Sequence, residues 1–208
     1  MKYKDSDIIW FDKIPSHWKK TKNKFFLKER DEIVGENSKD YVLLSLTTNG
    51  VIRRDIESGK GKFPSSFEDY KKVYKGDLIF CLYDIDETPR TIGYSEIDGM
   101  ISGSYKIFTC DESVFVKYIY YYYLNIDNFK GLRTYYTGLR NVIRPETFKS
   151  LSIYLPPYNE QVLIVNNIES KLIEIEKLKE IENEKLKKID EYIVSTINNS
   201  VIGKSIYE

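Results

Sequence analysis

The chain turns on one stretch. Gly138-Leu139-Arg140-Asn141 leads into an amphipathic piece carrying Phe148, Leu151, Ile153 and Leu155, and this ends in Pro156-Pro157-Tyr158-Asn159-Glu160-Gln161. Upstream the sequence is aromatic, rich in turn residues and mixed in pattern. Downstream there is no proline, and the apolar residues recur with helical spacing. Asn159 is a plausible N-cap and Glu160 a first-turn acid that complements the helix dipole. The stretch therefore reads as a joint between a globular head and a helical arm.

On the arm side, apolar residues fall at 165, 168, 172, 175, 178, 181, 186, 189, 193 and 197. The nine steps cover 32 residues, a mean near 3.6, which keeps one stripe on one face. Charges of both signs, such as Glu174, Lys177, Glu180, Lys185, Lys187 and Lys188, occupy the rest. The spacing predicts a single helix of about 39 residues, roughly 58 Å long, ending near Gly203. A compact head at one end cannot cover such a stripe. Val165, Ile168, Leu172, Ile175, Leu178, Leu186, Ile189 and Ile193 are therefore the expected dimerisation residues, packing on a partner helix either antiparallel or parallel.

On the head side, Ile8 to Trp18 forms an aromatic lead-in, with Trp10 and Trp18 expected as core anchors. Lys19 to Arg30 follows, with Phe25, Phe26 and Leu27 as its buried side. Strands are expected over 41–46, 51–55, 78–83, from 92 and over 105–110, with a hairpin turn at Asn49-Gly50 and further turns at Tyr74–Asp77 and Asp98-Gly99. Tyr118 to Leu124 holds five tyrosines and no turn residue. Base stacking is one reading of it, and a helix wedging aromatic bulk into the core is the one we favour. Gly131-Leu132-Arg133 recurs as Gly138-Leu139-Arg140 with Thr134-Tyr135-Tyr136-Thr137 between, which reads as an exposed loop able to press on a nucleic-acid backbone.

The 208 residues suggest one full-size domain with an appendage: a head over 1–157, a helix over 158–200 and a tail over 201–208. No apolar run approaches a membrane span, and the start lacks the apolar core of a secretory signal. Cys81 and Cys110 are too few for a disulfide framework or a zinc knuckle, so a reducing cytoplasm is the simplest compartment. The chain has 32 basic and 32 acidic residues, but they are not evenly spread. Residues 158–208 hold 7 lysines against 10 acids, leaving 25 basic and 22 acidic residues before them. All seven arginines (30, 53, 54, 90, 133, 140 and 144) lie in that first part, and arginine is the side chain best shaped for phosphate and guanine.

Several catalytic readings fail on spacing. Ser58-Gly59-Lys60-Gly61-Lys62 lacks the P-loop frame, and Asp84, Asp86 and Glu87 lack the EF-hand pattern of donors. Pro156-Pro157-Tyr158 is preceded by Leu155, where an amino-methyltransferase motif needs a hydrogen-bond acceptor. His17 has no evident nucleophile or metal partner in the sequence. Glu169-Ser170-Lys171 falls on the arm, where charges form a solvated face. The chain reads as a recognition protein and not an enzyme.

Taken in order, five features resemble the specificity subunits of type I restriction-modification systems. They are Ile14-Pro15-Ser16-His17-Trp18, Leu44-Ser45 to Gly50, Gly76-Asp77-Leu78-Ile79, the tyrosine-rich segment, and the stretch from Gly138 to Gln161. The resemblance covers nearly the whole chain. It implies an α+β fold: a mixed, β-sheet-rich DNA target-recognition domain, then one long C-terminal helix pairing in a coiled-coil-like spacer. It implies double-stranded DNA and modification subunits as partners, with restriction subunits as further ones. S-adenosylmethionine, ATP and magnesium belong to those partners, and no cofactor to this chain. Full-length subunits of that kind have two recognition domains and two helices, whereas this sequence has one of each. A natural half-subunit, a truncated gene product and an excised piece all fit. A half-subunit would pair with itself and read a palindromic, split site. The expected DNA face holds Arg53, Arg54, Lys60, Lys62, Arg90, Arg133, Tyr135, Tyr136, Arg140 and Asn141. The alternative is an assembly or inhibitory subunit that acts through its helix without reading DNA.

Overall fold

Leu78-Ile79-Phe80 is apolar at every position, the pattern of a strand buried on both faces, and the fold is built around it. The computed structural model describes residues 2–54, 66–137 and 141–203. In chain order its strands are β1 (Tyr3–Asp5), β2 (Lys13–Pro15), β3 (Lys19–Lys22), β4 (Leu27–Arg30), β5 (Leu44–Thr47), β6 (Gly50–Arg53), β7 (Lys71–Val73), β8 (Leu78–Phe80), β9 (Ile92–Tyr94), β10 (Gly99–Ile101), β11 (Lys106–Cys110) and β12 (Ser152–Leu155). Its helices are α1 (Val116–Asn128), α2 (Pro145–Ser150) and α3 (Tyr158–Val201). The architecture is α+β, with a long C-terminal helix.

The main sheet has the order β4-β11-β8-β9 and is antiparallel throughout. Because side chains alternate across a strand, neighbouring residues of β8 and β11 serve two different cores. Phe80 and Phe108 point to one face, where they meet Tyr123 of α1 and Phe148 of α2 at ring separations of 4.7–5.7 Å. Ile79 and Ile107 point to the other and pack with Leu44, Val73 and Ile101. Truncating any of these aromatic anchors to alanine should cost about 3–5 kcal/mol. Four separate two-stranded sheets accompany the main sheet: β5 with β6, β7 with β10, β1 with β2, and β3 with β12.

Several boundaries differ from the sequence reading. Lys19 to Arg30 is two strands, β3 and β4, joined by a 3-10 turn at Asn23–Phe25. Phe26 and Leu27 are buried as expected, but Phe25 lies in that turn and is 70% exposed. The hairpin turn lies one residue before Asn49-Gly50: Thr47 pairs with Gly50, leaving Thr48 and Asn49 as the loop. Gly50 takes a φ of 91°, which is why a glycine sits there. Gly99 opens a strand instead of completing a turn, with its partner at Val73. The tyrosine-rich segment is helical, with Tyr118, Tyr122 and Tyr123 buried in α1. Trp10 and Trp18 are half-buried against Ile8, Ile14 and Tyr154.

The chain divides into two units, Met1–Leu163 and Ile164–Glu208, and the boundary falls inside α3. This helix runs 44 residues, about 66 Å at 1.5 Å per residue, five residues more than the spacing predicts. Pro157 supplies its cap: the Gln161 amide bonds to the Pro157 carbonyl at 3.0 Å, so Asn159 sits within the first turn and is not the N-cap. Val165 is buried and Ile168 half-buried. From Ser170 to Val201 every residue is exposed, including Leu172, Ile175, Leu178, Leu186, Ile189 and Ile193. Gly203, at a φ of 79°, follows the last turn. Among the described residues no helix is long and apolar enough to cross a membrane.

Candidate nucleic-acid interface and the helix junction

The junction follows from strand pairing. β3 and β12 are antiparallel, and Lys19 lies opposite Leu155. The residues just before Lys19 and just after Leu155 therefore emerge at the same end of the pair. His17 and Trp18 meet the start of α3 there. The Trp18 indole N–H donates to Glu160 Oε1 at 3.0 Å, and His17 Nε2 lies 2.7 Å from Glu160 Oε2. His17 thus has a partner that sequence spacing did not disclose. Burial pushes the Glu160 carboxyl upward, but the His17 and Trp18 bonds outweigh it and hold the group below the usual glutamate range. Gln161 is buried; it donates to the Pro156 carbonyl and accepts from the Phe115 amide ahead of α1, both at 2.9 Å. Two sequence features from opposite ends of the head therefore form one bonded unit.

The candidate DNA residues fall into three sets. Lys60, Lys62 and Arg140 lie outside the described residues, as do Gly138 and Leu139. A second set is tied into the head. Arg90 bonds to Asn128 at 3.1 Å and ion-pairs with the buried Asp127 carboxylate at 3.5 Å; Lys130 and Thr91 complete that carboxylate's partners. Arg133 pairs with Asp86 at 3.3 Å while staying exposed. The Tyr136 hydroxyl accepts the Ile85 amide at 2.6 Å, pinning the turn that begins at Asp84, which has a φ of 43°. Tyr135 stacks edge-on against Trp10 at 5.7 Å. Of the acids in the Asp84–Arg90 loop, Asp86 is the counter-ion of Arg133. Among the described residues no cluster is arranged to hold a metal ion.

The third set comprises Arg53, Arg54 and Asn141. Arg53 is exposed at the end of β6, opposite Leu44. Burial pushes the Tyr105 hydroxyl up to about 12, and the nearby Arg54 charge opposes the shift. Tyr105 in turn lies 6.5 Å from Tyr83, ring to ring. Tyr83 bridges to Val142, next to Asn141, whose carbonyl accepts the Asp84 amide at 2.8 Å. A short hydroxyl ladder completes the surface: Tyr83 to Ser104 at 3.1 Å and Ser104 to Ser102 at 3.0 Å. Arg54 and the backbone at Asn141–Val142, far apart in sequence, thus each neighbour one member of a tyrosine pair. Tyr83, Ser102, Ser104 and Tyr105 are not among the candidates read from the sequence. The apolar run before Tyr83 has no alternation to show which way that ring turns, and nothing local to the serines marks them out.

No protein-family model matches the sequence, and no curated protein matches it. Solved structures do resemble it in fold. One is the HsdS subunit from Thermoanaerobacter tengcongensis, 13% identical, with a TM-score of 0.49 over 80% of this chain and 40% of that one. Another is a chain from work on complex assembly and conformational transition of the type I R-M system, 15% identical, with a TM-score of 0.55 over 83% of this chain and 42% of that one. The second likeness shows that this head-and-helix fold occurs in a type I restriction-modification system. The chain spans about two fifths of the length of either.

Proposed function

We propose that this chain is a DNA sequence-specificity subunit of a type I restriction-modification system. It recognises one half of a bipartite target and docks methyltransferase subunits, and restriction subunits with them. What supports the reading is the Tyr83–Tyr105 pair, 6.5 Å ring to ring, with the Arg54 charge acting on Tyr105 and the Tyr83 backbone bridged to Val142 beside Asn141. Arginine and asparagine are the side chains that hydrogen-bond guanine and adenine edges in the major groove, and tyrosine faces and hydroxyls suit bases and phosphates. The fold shared with the type I structures supports the same reading. Two copies joined through α3 would carry two identical reading faces related by a two-fold axis, so the target would be palindromic with an unread spacer set by helix length. The chain supplies the address, and the methyl transfer and cutting belong to its partners.

The ion pairs of Arg90 and Arg133 favour a second reading, an assembly or inhibitory subunit, because they neutralise two of the expected DNA contacts. Binding of the complex with modification subunits to target and to random duplexes, at matched salt, separates the two. The first reading expects a ratio of at least about 10³ in favour of the target; equal binding supports the second.

A further inference from the structure

Tyr136 belongs to the expected DNA face, yet its hydroxyl is already occupied. It accepts the Ile85 amide at 2.6 Å and the Asp86 amide at 3.3 Å, and its own hydrogen faces Asp86 Oδ2 at 3.5 Å. Two amides fill the acceptor capacity of a phenol oxygen, which leaves none for a base. Arg133 holds the other oxygen of that carboxylate at 3.3 Å. What these bonds fix is a turn. Asp84 takes a φ of 43°, a region that residues other than glycine seldom adopt. Its carbonyl accepts the Glu87 and Thr88 amides and the Thr88 hydroxyl at 2.9–3.0 Å, and its amide donates to the Asn141 carbonyl at 2.8 Å. Asn141 is exposed, and Val142 beside it bridges to both Tyr83 and Thr137. Thr137 directly follows Tyr136. The bonds therefore close a ring: from Tyr136 to Thr137, across to Val142 and Asn141, over to Asp84 and Ile85, and back to the Tyr136 hydroxyl.

We infer that Tyr136 is a positioning residue for base recognition, holding the Asp84 turn so that Asn141 meets a base edge at one fixed place. The inference rests on the address-reading function proposed above and names what holds one of its readers still. Asparagine reads adenine with two hydrogen bonds at once, to N6 and N7 in the major groove. A site of that kind works only when its groups are held within about 0.5 Å of the productive geometry. A reader tied down along one side alone would also lose more freedom on binding. Here both sides of Asn141 are tied to the same turn, one through its own backbone and one through the Tyr136 side chain. Tyr136→Phe would keep the ring but leave the amide of Ile85, a fully buried residue, without its acceptor. Tyr136 therefore acts on DNA through Asn141 and not by touching it.

The test uses the full chain assembled with modification subunits, and duplexes carrying the motif it methylates, each varied at one base pair. Y136F, N141A and Y136F/N141A are compared with the parent, with melting curves fixing the folded fraction first. N141A should lose about tenfold in discrimination at one base pair. Y136F should lose several-fold at that pair and at no other, and the double variant should lose no more than N141A alone. T88V, which removes the hydroxyl bond to the Asp84 carbonyl inside the same turn, carries the same expectation where Y136F does not fold. Equal weakening on every duplex would make the tyrosine a backbone contact and overturn the inference. So would a loss that adds to that of N141A, or lowered stability with discrimination unchanged. An N141A complex that discriminates as the parent does also overturns it, because there is then no reader to position. A parent that binds target and random duplexes alike sinks the proposed function itself.

Discussion

Trp18 donates its indole N–H to Glu160 at 3.0 Å across 142 residues of sequence, and this bond fastens the entry of the head to the first turn of α3. Trp18→Phe keeps an aromatic ring there but removes the donor together with part of the indole's packing. A hydrogen bond to a charged group contributes about 1.5–3 kcal/mol, so urea unfolding should show a loss of at least that order. A loss below about 0.5 kcal/mol would mean the bond is not formed in solution.

The same carboxylate gives an acid dependence. Glu160 is held below its usual range in the folded chain, so its stabilisation is complete above the unfolded-state value and disappears as pH falls through the folded one. Glu160→Gln should therefore be less stable than the parent at neutral pH, with the difference shrinking on acidification. Denaturation midpoints at pH 7 and at stepwise lower pH measure it. A difference that grows in acid would reverse the sign.

A buried polar chain links the strand layer to both short helices. The Tyr123 hydroxyl donates to Asn23 Oδ1 at 2.7 Å, and the Asn23 amide donates to the Phe148 carbonyl at 2.9 Å. Tyr123→Phe preserves volume but leaves a buried acceptor unpaired, which costs about 1–3 kcal/mol. Thermal or chemical melts should show it without any change in DNA recognition.

Gly99 marks a tight approach of β10 to the segment before β5. A Cβ there would lie 2.5 Å from the Val42 carbonyl oxygen and 2.8 Å from Leu44. Backbone cannot swing aside as a side-chain tip does, so Gly99→Ala should destabilise by about 1–3 kcal/mol. A neutral outcome would show that the hairpin packs more loosely than this.

Arg54 and Arg90 should behave differently, although both are arginines in the head. Arg90 pairs with a fully buried carboxylate, so Arg90→Ala should lower stability by about 3 kcal/mol or somewhat less, given the arginine's partial exposure. Arg54→Ala should weaken target binding by about 1–3 kcal/mol at one base position. Melting curves beside binding titrations on single-base target variants distinguish the two.

How much of this was legible depended on the range of the interaction involved. The long helix was plain, because its 3.6-residue period persists over many turns and needs no knowledge of the rest of the chain. The buried strand Leu78–Phe80 was plain from its unbroken apolar run. Phe25 misled, because a turn between β3 and β4 breaks the alternation that would have buried it. Glu160 read as a helix-dipole residue, since nothing local reveals that antiparallel pairing of β3 with β12 delivers His17 and Trp18 to it. Likewise Arg90 and Arg133 looked free for phosphate because Asp127 and Asp86, their counter-ions, are distant in sequence. Residue type was visible, but partnership across the sheet was not.

The most direct test of the address-reading role is methylation mapping. The chain, produced with its modification subunits in a host free of other such systems, should place methyl groups on adenines within one split, inverted-repeat motif. Arg54→Ala should relax or abolish that motif. Methylation without any sequence motif, or a motif unaffected by changes at Arg53, Arg54, Tyr83, Tyr105 and Asn141 together, would contradict the account.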